Sequence, residues 1–309
     1  MLHVTNGDVA AEGIVLARFD GEVLPWRDVL HEGPVPAVAT AEELREVRAR
    51  FLARSGWTEV RTALEDLTAR DRRLERALAR GEELVLWFEP DLYDQLQLLQ
   101  ILDRVARASS RSRISGVFPG ESIGPMTSSQ LVACFARARD LGASEVELGR
   151  RAWDAFRDPD PRKIERLLAE DLSELPDLAD ALLRHLEQFP SVAEGLSRSE
   201  RQILGTLLSG PKEFGELFRE SQAAEHHHFV GDAVFENYLD ELATATAPLV
   251  RRSTEGVWSI TQLGEAVFRG RTDRVDTVGL DRWLGGVWLH APRRVWRWNR
   301  DEGVLVAPF

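Results

Sequence analysis

Over roughly the first 140 residues, short apolar runs alternate with segments of helical periodicity, and this constrains the fold more than any other feature of the chain. Leu2–Thr5 is a β-type run, Asn6, Gly7 and Asp8 form a turn, and residues 9–16 return to helix. A second short strand, Glu22–Pro25, precedes a turn-rich stretch over residues 26–36. Thr40 and Glu43 then make a capping box for a helix reaching about residue 55, and a charged helix over 58–80 stops at Gly81. Residues 84–88 read as a buried strand. Leu92, Leu96, Leu99 and Leu102 mark one face of a helix over 91–108, and residues 113–118 offer a fourth strand. Strands separated by helices need crossover connections, so the expected fold is α/β: an N-terminal, mostly parallel sheet with flanking helices over residues 1–140.

The remainder reads differently. Residues 141–195 carry only helical signals and are expected to form a helical connector. Residues 196–309 are expected to form a winged-helix-like domain with a Trp-rich tail: three helices, the first capped by Ser197 and Glu200, precede two short β-type runs and a further helix. A length of 309 residues suits such a multi-domain chain. Cys134 is the single cysteine, which excludes an intrachain disulfide and fits a reducing cytoplasm. The start, MLHVTNGD, lacks the basic-then-apolar pattern of a secretion signal, and no long apolar run predicts a membrane span.

In open α/β sheets, ligands bind beyond the carboxyl ends of the strands. Asn6, Gly7 and Asp8 follow the first strand here; Trp26, Asp28, His31, Glu32 and Gly33 follow the second; Glu89, Asp91 and Asp94 follow the third; Gly120 and Glu121 follow the fourth. Grouped carboxylates can hold a divalent cation, and Asp8, Glu89 and Asp91 are the candidate ligands. Asp28 and His31 are candidates for acid–base catalysis, because crowding separates carboxyl pKa values and histidine titrates near neutrality. Asn6, Gly7 and Asp8 at a helix start, with Trp26 as a pocket wall, form the candidate cofactor-binding set. Each residue also has a purely structural reading: Asp8 and Asp91 as helix caps, Gly7 and Gly33 as turn residues, Trp26 and Trp87 as core, and His3 as a hydrogen-bonded core histidine.

A net charge of −12 argues against nonspecific nucleic-acid binding. The third helix of the winged-helix-like segment carries Asp232, Glu236, Asp240 and Glu241 without Lys or Arg, which favours a protein partner over DNA. His226, His227 and His228 lack spaced partner ligands and read as a loop. The tail interleaves Arg293, Arg294, Arg297 and Arg300 with Trp296 and Trp298, a pattern of base-stacking surfaces but also of a strand with Trp inward and Arg outward. The HExxH motif is absent from the sequence.

The runs LHVTNGDVAAEGI, LPWRDVLHEGPVP and LVLWFEPDLYDQLQLLQILD resemble the bacterial family known as domain of unknown function 1835. LSRSERQIL, GELF and DRWLGG resemble the C-terminal part of its longer members. The resemblance implies bacterial origin, cytoplasmic residence and an N-terminal defining domain, and it supplies no activity. The residues themselves point to binding or processing of a small phosphate-containing ligand or nucleotide at the strand ends. The alternative is a noncatalytic regulator or interaction scaffold.

Overall fold

The apolar runs of the N-terminal half do form a parallel sheet in the computed structural model, which describes residues 1–38, 40–108, 110–291 and 293–308. The chain divides into two units, Met1–Leu182 with Gly285–Val287, and Leu183–Leu284 with Trp288–Phe309.

In the first unit β1 (Leu2–Thr5), α1 (Asp8–Leu16), β2 (Glu22–Pro25), β3 (Gly33–Pro34), α2 (Ala41–Arg54), α3 (Val60–Arg80), β4 (Leu84–Trp87), α4 (Leu92–Arg107), β5 (Ile114–Val117), α5 (Ser128–Phe135) and β6 (Arg139–Asp140) follow one another. The main sheet runs β2-β1-β4-β5-β6, with the first four strands parallel and β6 antiparallel to β5. Thr5 lies opposite both Pro25 and Trp87, so β1, β2 and β4 end at one level. The chain leaves β1 for β2 on one side and later returns to β4 on the other. The crevice between the ends of β1 and β4 is therefore the topological switch point, where ligands gather in such sheets.

Side-chain alternation divides the sheet residues between two faces. Val85, Trp87 and Val117 join Ala10, Ile14, Leu131 and Cys134 in a cluster that seats α1 and α5. His3 lies fully buried beside them, accepting from Trp87 Nε1 at 3.0 Å and sitting 3.1 Å from Asp20 O. Burial holds its pKa below the ordinary value, so the ring is a neutral core element.

Helix α4 is the structural hub. Leu96, Leu98, Leu99, Ile101 and Leu102 are all buried, each removing apolar surface that stabilises the fold by roughly 1.5–3 kcal/mol. Burial on all sides follows because α4 packs against α6 (Ala143–Phe156) as well as lying in the core. Gly149 permits that approach, since a Cβ there would come 2.4 Å from Leu102. Helix α7 (Arg162–Leu168) also belongs to this unit, so the segment read as a connector contributes helices to the α/β unit.

Helix α8 (Leu178–Leu186) runs across the boundary at Leu183, and the second unit further contains α9 (Arg198–Leu207), α10 (Phe214–Gln222) and α11 (Asp232–Thr244), then β7 (Val250–Arg252) paired antiparallel with β8 (Trp258–Ile260). Next come α12 (Gln262–Phe268), α13 (Arg274–Val278), β9 (Asp281–Gly285), β10 (Val287–His290) and the antiparallel pair β11 (Arg297–Asn299) and β12 (Val304–Val306). The Ser197–Glu200 capping box forms, and buried Glu200 also meets Arg274 at 3.1 Å and Arg282 at 3.3 Å. Burial alone would raise this carboxyl, but the two guanidiniums outweigh it and hold its pKa at about 2. No described helix is long and apolar enough to cross a membrane.

Candidate functional site

Glu89, Asp91 and Asp94 leave the end of β4 and enter the first turn of α4. All three are buried, and one carboxylate oxygen from each lies within 4.8 Å of the others. Asp91 is the N-cap of α4 and accepts from Asp94 N at 3.1 Å. Asp94 turns back to accept from Glu89 N at 2.7 Å and from Asn6 Nδ2 at 2.7 Å. Glu89 spans the crevice in the other direction, taking Ile123 N at 2.8 Å and the Ser122 hydroxyl at 2.6 Å, with Asn6 Nδ2 at 3.4 Å. The ends of β1, β4 and β5 are thus joined through carboxylates at the switch point. Asn6 is half-buried and Ser122 exposed, so the buried acids are bordered by residues open to solvent.

Burial pushes the Asp91 carboxyl up to about 7; backbone N–H groups of Asp94 and Tyr93 oppose the shift and the charge of Glu89 adds to it. Asp94 is pushed well above its ordinary value, first by burial and then by Asp91 and Glu89. Near neutrality the group therefore holds a proton readily, and a cation could take the proton's place.

The other expected site residues divide into neighbours and structural parts. Tyr93 Oη donates to Asn6 O at 3.4 Å, and buried His31 packs edge-on against the Tyr93 ring at 5.8 Å between centroids. His31 therefore lies one ring away from Asn6. Gly7 is the extended N-cap of α1 and offers no side-chain cap, so the first N–H groups of α1 receive no acceptor from it. Asp8 lies apart from the three acids as a metal ligand: it is mostly exposed and accepts from Arg27 Nε at 2.8 Å. Arg27, at φ +51°, also donates its backbone N–H to Asn6 O at 2.9 Å.

Asp28 and Trp26 are bound into the core. Arg48 places Nε and Nη2 on Asp28 Oδ1 at 3.0 and 2.9 Å, with both side chains about 1% exposed, so the carboxylate is neutralised where it sits. Trp26 is fully buried, donates through Nε1 to Gln100 at 2.7 Å and carries the Arg70 guanidinium 4.0 Å from its ring. It is part of the core and not the wall of an open site. Beneath it Asp71 receives Arg45, Arg70 and Arg104 at 2.7–3.0 Å, and these charges overcome burial to hold its pKa down.

Asp94 and Ser122 are the participants least visible in the sequence reading of the site. Asp94 stands three residues after its cap, a position where an acid normally serves the helix end alone. Ser122 lies in the loop after β5, where the strand-end rule and the Gly-x-Ser-x-Gly pattern of Gly120, Ser122 and Gly124 were the signals that could have found it. No protein-family model matches the chain, and no curated protein matches it.

Proposed function

We propose that the first unit binds a small phosphate-bearing ligand, a nucleotide or sugar phosphate, through a divalent cation held by Glu89, Asp91 and Asp94. The observation that carries this reading is the convergence of three buried carboxylates at the β1–β4 switch point. Three such groups in a water-poor place repel one another, and a hard cation with an affinity for oxygen relieves that repulsion. The cation would also reverse the local charge, allowing a phosphate to approach acids that would otherwise expel it. The N-terminus of α1, capped by Gly7 with no side-chain acceptor, offers N–H donors on the same rim. In this reading Asn6 orients Asp94 and Glu89, Tyr93 and His31 border the site, and Asp28 with Arg48 holds the β2 loop. We further infer a cytoplasmic, bacterial setting and membership of the domain of unknown function 1835 family, from the motifs given above.

The test is calorimetric titration with Mg2+ and Mn2+ alone, then with AMP, ATP and ribose 5-phosphate in the presence and absence of the cation. Cation-dependent phosphate binding that weakens about tenfold or more in Asp91→Asn is the expected result. Equal binding of the phosphates without cation, or no saturable cation binding, would overturn it.

A second reading assigns the other unit a noncatalytic, regulatory role. We read α9, α10, α11 and β7–β8 as a winged helix on their order alone, and the acidic α11 favours a protein partner. Salt-sensitive anisotropy changes with duplex DNA would count against a protein partner.

A further inference from the structure

The second unit contains a cavity of about 630 Å3, within the range of small-molecule sites. Val275, Val295 and Val306 supply apolar lining, while Arg293, Arg294 and Arg297 supply cations and Asp276 an acid. Arg297 is already committed, donating to both oxygens of Asp273 at 2.8 and 3.1 Å. Arg293 and Arg294 are exposed, and among the described residues neither forms an ion pair. Arg293 instead lies 5.8 Å from the Trp288 ring, which is fixed by its own Nε1 donating to Asp281 at 2.7 Å and by stacking on His290 at 4.7 Å. A guanidinium steadied by an aromatic ring keeps its N–H donors available for an oxyanion. With Asp273 and Asp276 set against the three arginines, one positive charge remains, which suits a single oxyanion and not a nucleic-acid strand.

We propose that this cavity binds a small amphiphilic anion, an apolar body bearing one carboxylate or phosphate, with the oxyanion between Arg293 and Arg294 and the body against the three valines. The site is separate from the carboxylate group of the first unit and does not depend on it.

The experiment titrates full-length protein with benzoate, phenyl phosphate and, as the uncharged control, benzyl alcohol, followed by ligand-observed NMR and calorimetry. Expected is saturable binding of at least one anion at or below about 1 mM, weakened about tenfold or more in Arg293→Gln or Arg294→Gln and by added salt. The stronger of the two anions identifies the headgroup. Arg271→Gln, an exposed arginine outside the cavity lining, should leave binding unchanged, and so should Asp91→Asn, which separates this site from the proposed cation site. Both cavity arginines are exposed, so unchanged thermal unfolding of their variants would verify that folding is intact. Failure of every anion to saturate, equal affinity for benzyl alcohol, or unchanged binding in both arginine variants would overturn the proposal.

Discussion

Replacing Asp91 with asparagine should make the protein more stable at neutral pH in the absence of divalent cations. Asparagine can still cap α4, because its side-chain oxygen can accept from Asp94 N as the carboxylate does. It cannot ionise. The folded state raises Asp91 from 3.8 to about 7, so between those values the folded protein holds a proton that the unfolded chain has released. Stability contributed by that proton is fully present below about pH 4 and is lost as pH rises through about 7. Roughly three pH units at about 1.4 kcal/mol each set a ceiling of about 4 kcal/mol. Urea unfolding of both proteins from pH 4 to 8 measures the effect: the variant should match the wild type at pH 4 and exceed it by as much as about 4 kcal/mol at pH 8. Taking the difference largely cancels groups common to both proteins, notably His185, whose titration runs the opposite way. A divalent cation at about 100 times its dissociation constant should then stabilise the wild type by about 2.7 kcal/mol and the variant by much less. A variant less stable than wild type at pH 8 without cation, or a difference that does not change with pH, would refute the reasoning.

Three further outcomes follow from the packing. Arg48→Leu should cost about 3–5 kcal/mol in urea unfolding, because it leaves Asp28 buried without Arg48, and Asp28→Leu in the same chain should recover only part of the loss, since the Val29, Glu32 and Pro34 carbonyls that Arg48 also serves stay unpaired. Gly33→Ala should lower stability by about 1–3 kcal/mol, since Gly33 has φ +72° and a Cβ would lie 2.3 Å from the Phe51 ring; adding Phe51→Leu should relieve part of the clash. Burial, with Arg184 adjacent, holds His185 at about 3, so the wild type should lose stability as pH falls from about 6.5 towards 3, and His185→Gln should flatten that acid limb when unfolding is measured at pH 4, 5 and 7.

How far the fold was legible depended on how local its causes were. β1, β2, β4 and β5 were readable because each is a short run rich in apolar residues bounded by turn residues. The Thr40–Glu43 box and Gly81, observed at φ +66°, act within one helical turn and fall where their residue types predict. β3 and β6 have two residues each and no apolar periodicity, so nothing in Gly33–Pro34 or Arg139–Asp140 announces pairing. The roles of Asp28 and Trp26 were hidden for a different reason. Both lie in a polar, turn-rich segment that suggests exposure, and what buries them comes from elsewhere: Arg48 on α2, Arg70 on α3 and Gln100 on α4. In the tail, alternation alone could not choose between a stacking surface and a strand. Trp298 proves buried and Arg297 ion-paired to Asp273, so this part of the motif serves the packing of β11.

The polar residues of α4 connect these structural details to the proposed chemistry. A helix buried on every side should be apolar throughout, because each unsatisfied buried amide would cost about 1–3 kcal/mol. Yet α4 buries Gln95, Gln97 and Gln100. Gln95 Nε2 donates to Glu89 O at 2.8 Å, Gln97 Nε2 donates to Asp28 O at 3.0 Å, and Gln100 accepts from Trp26 Nε1. Their side chains thus tether the loops after β2 and β4, while Asp94 of the same helix tethers Asn6 after β1. Leucines at these positions would fill the volume but leave Glu89 O, Asp28 O and Trp26 Nε1 without these partners. What the amides add is a fixed spacing among three strand ends, and fixed spacing is what a constellation of carboxylates needs if it is to bind a cation instead of relaxing apart. The same tethers imply that loosening one loop loosens the others. Gln97→Leu, which removes a hydrogen bond to the Asp28 backbone carbonyl and not to a carboxylate, should therefore weaken cation binding while leaving Glu89, Asp91 and Asp94 in place, a coupling that calorimetry on this single variant can measure.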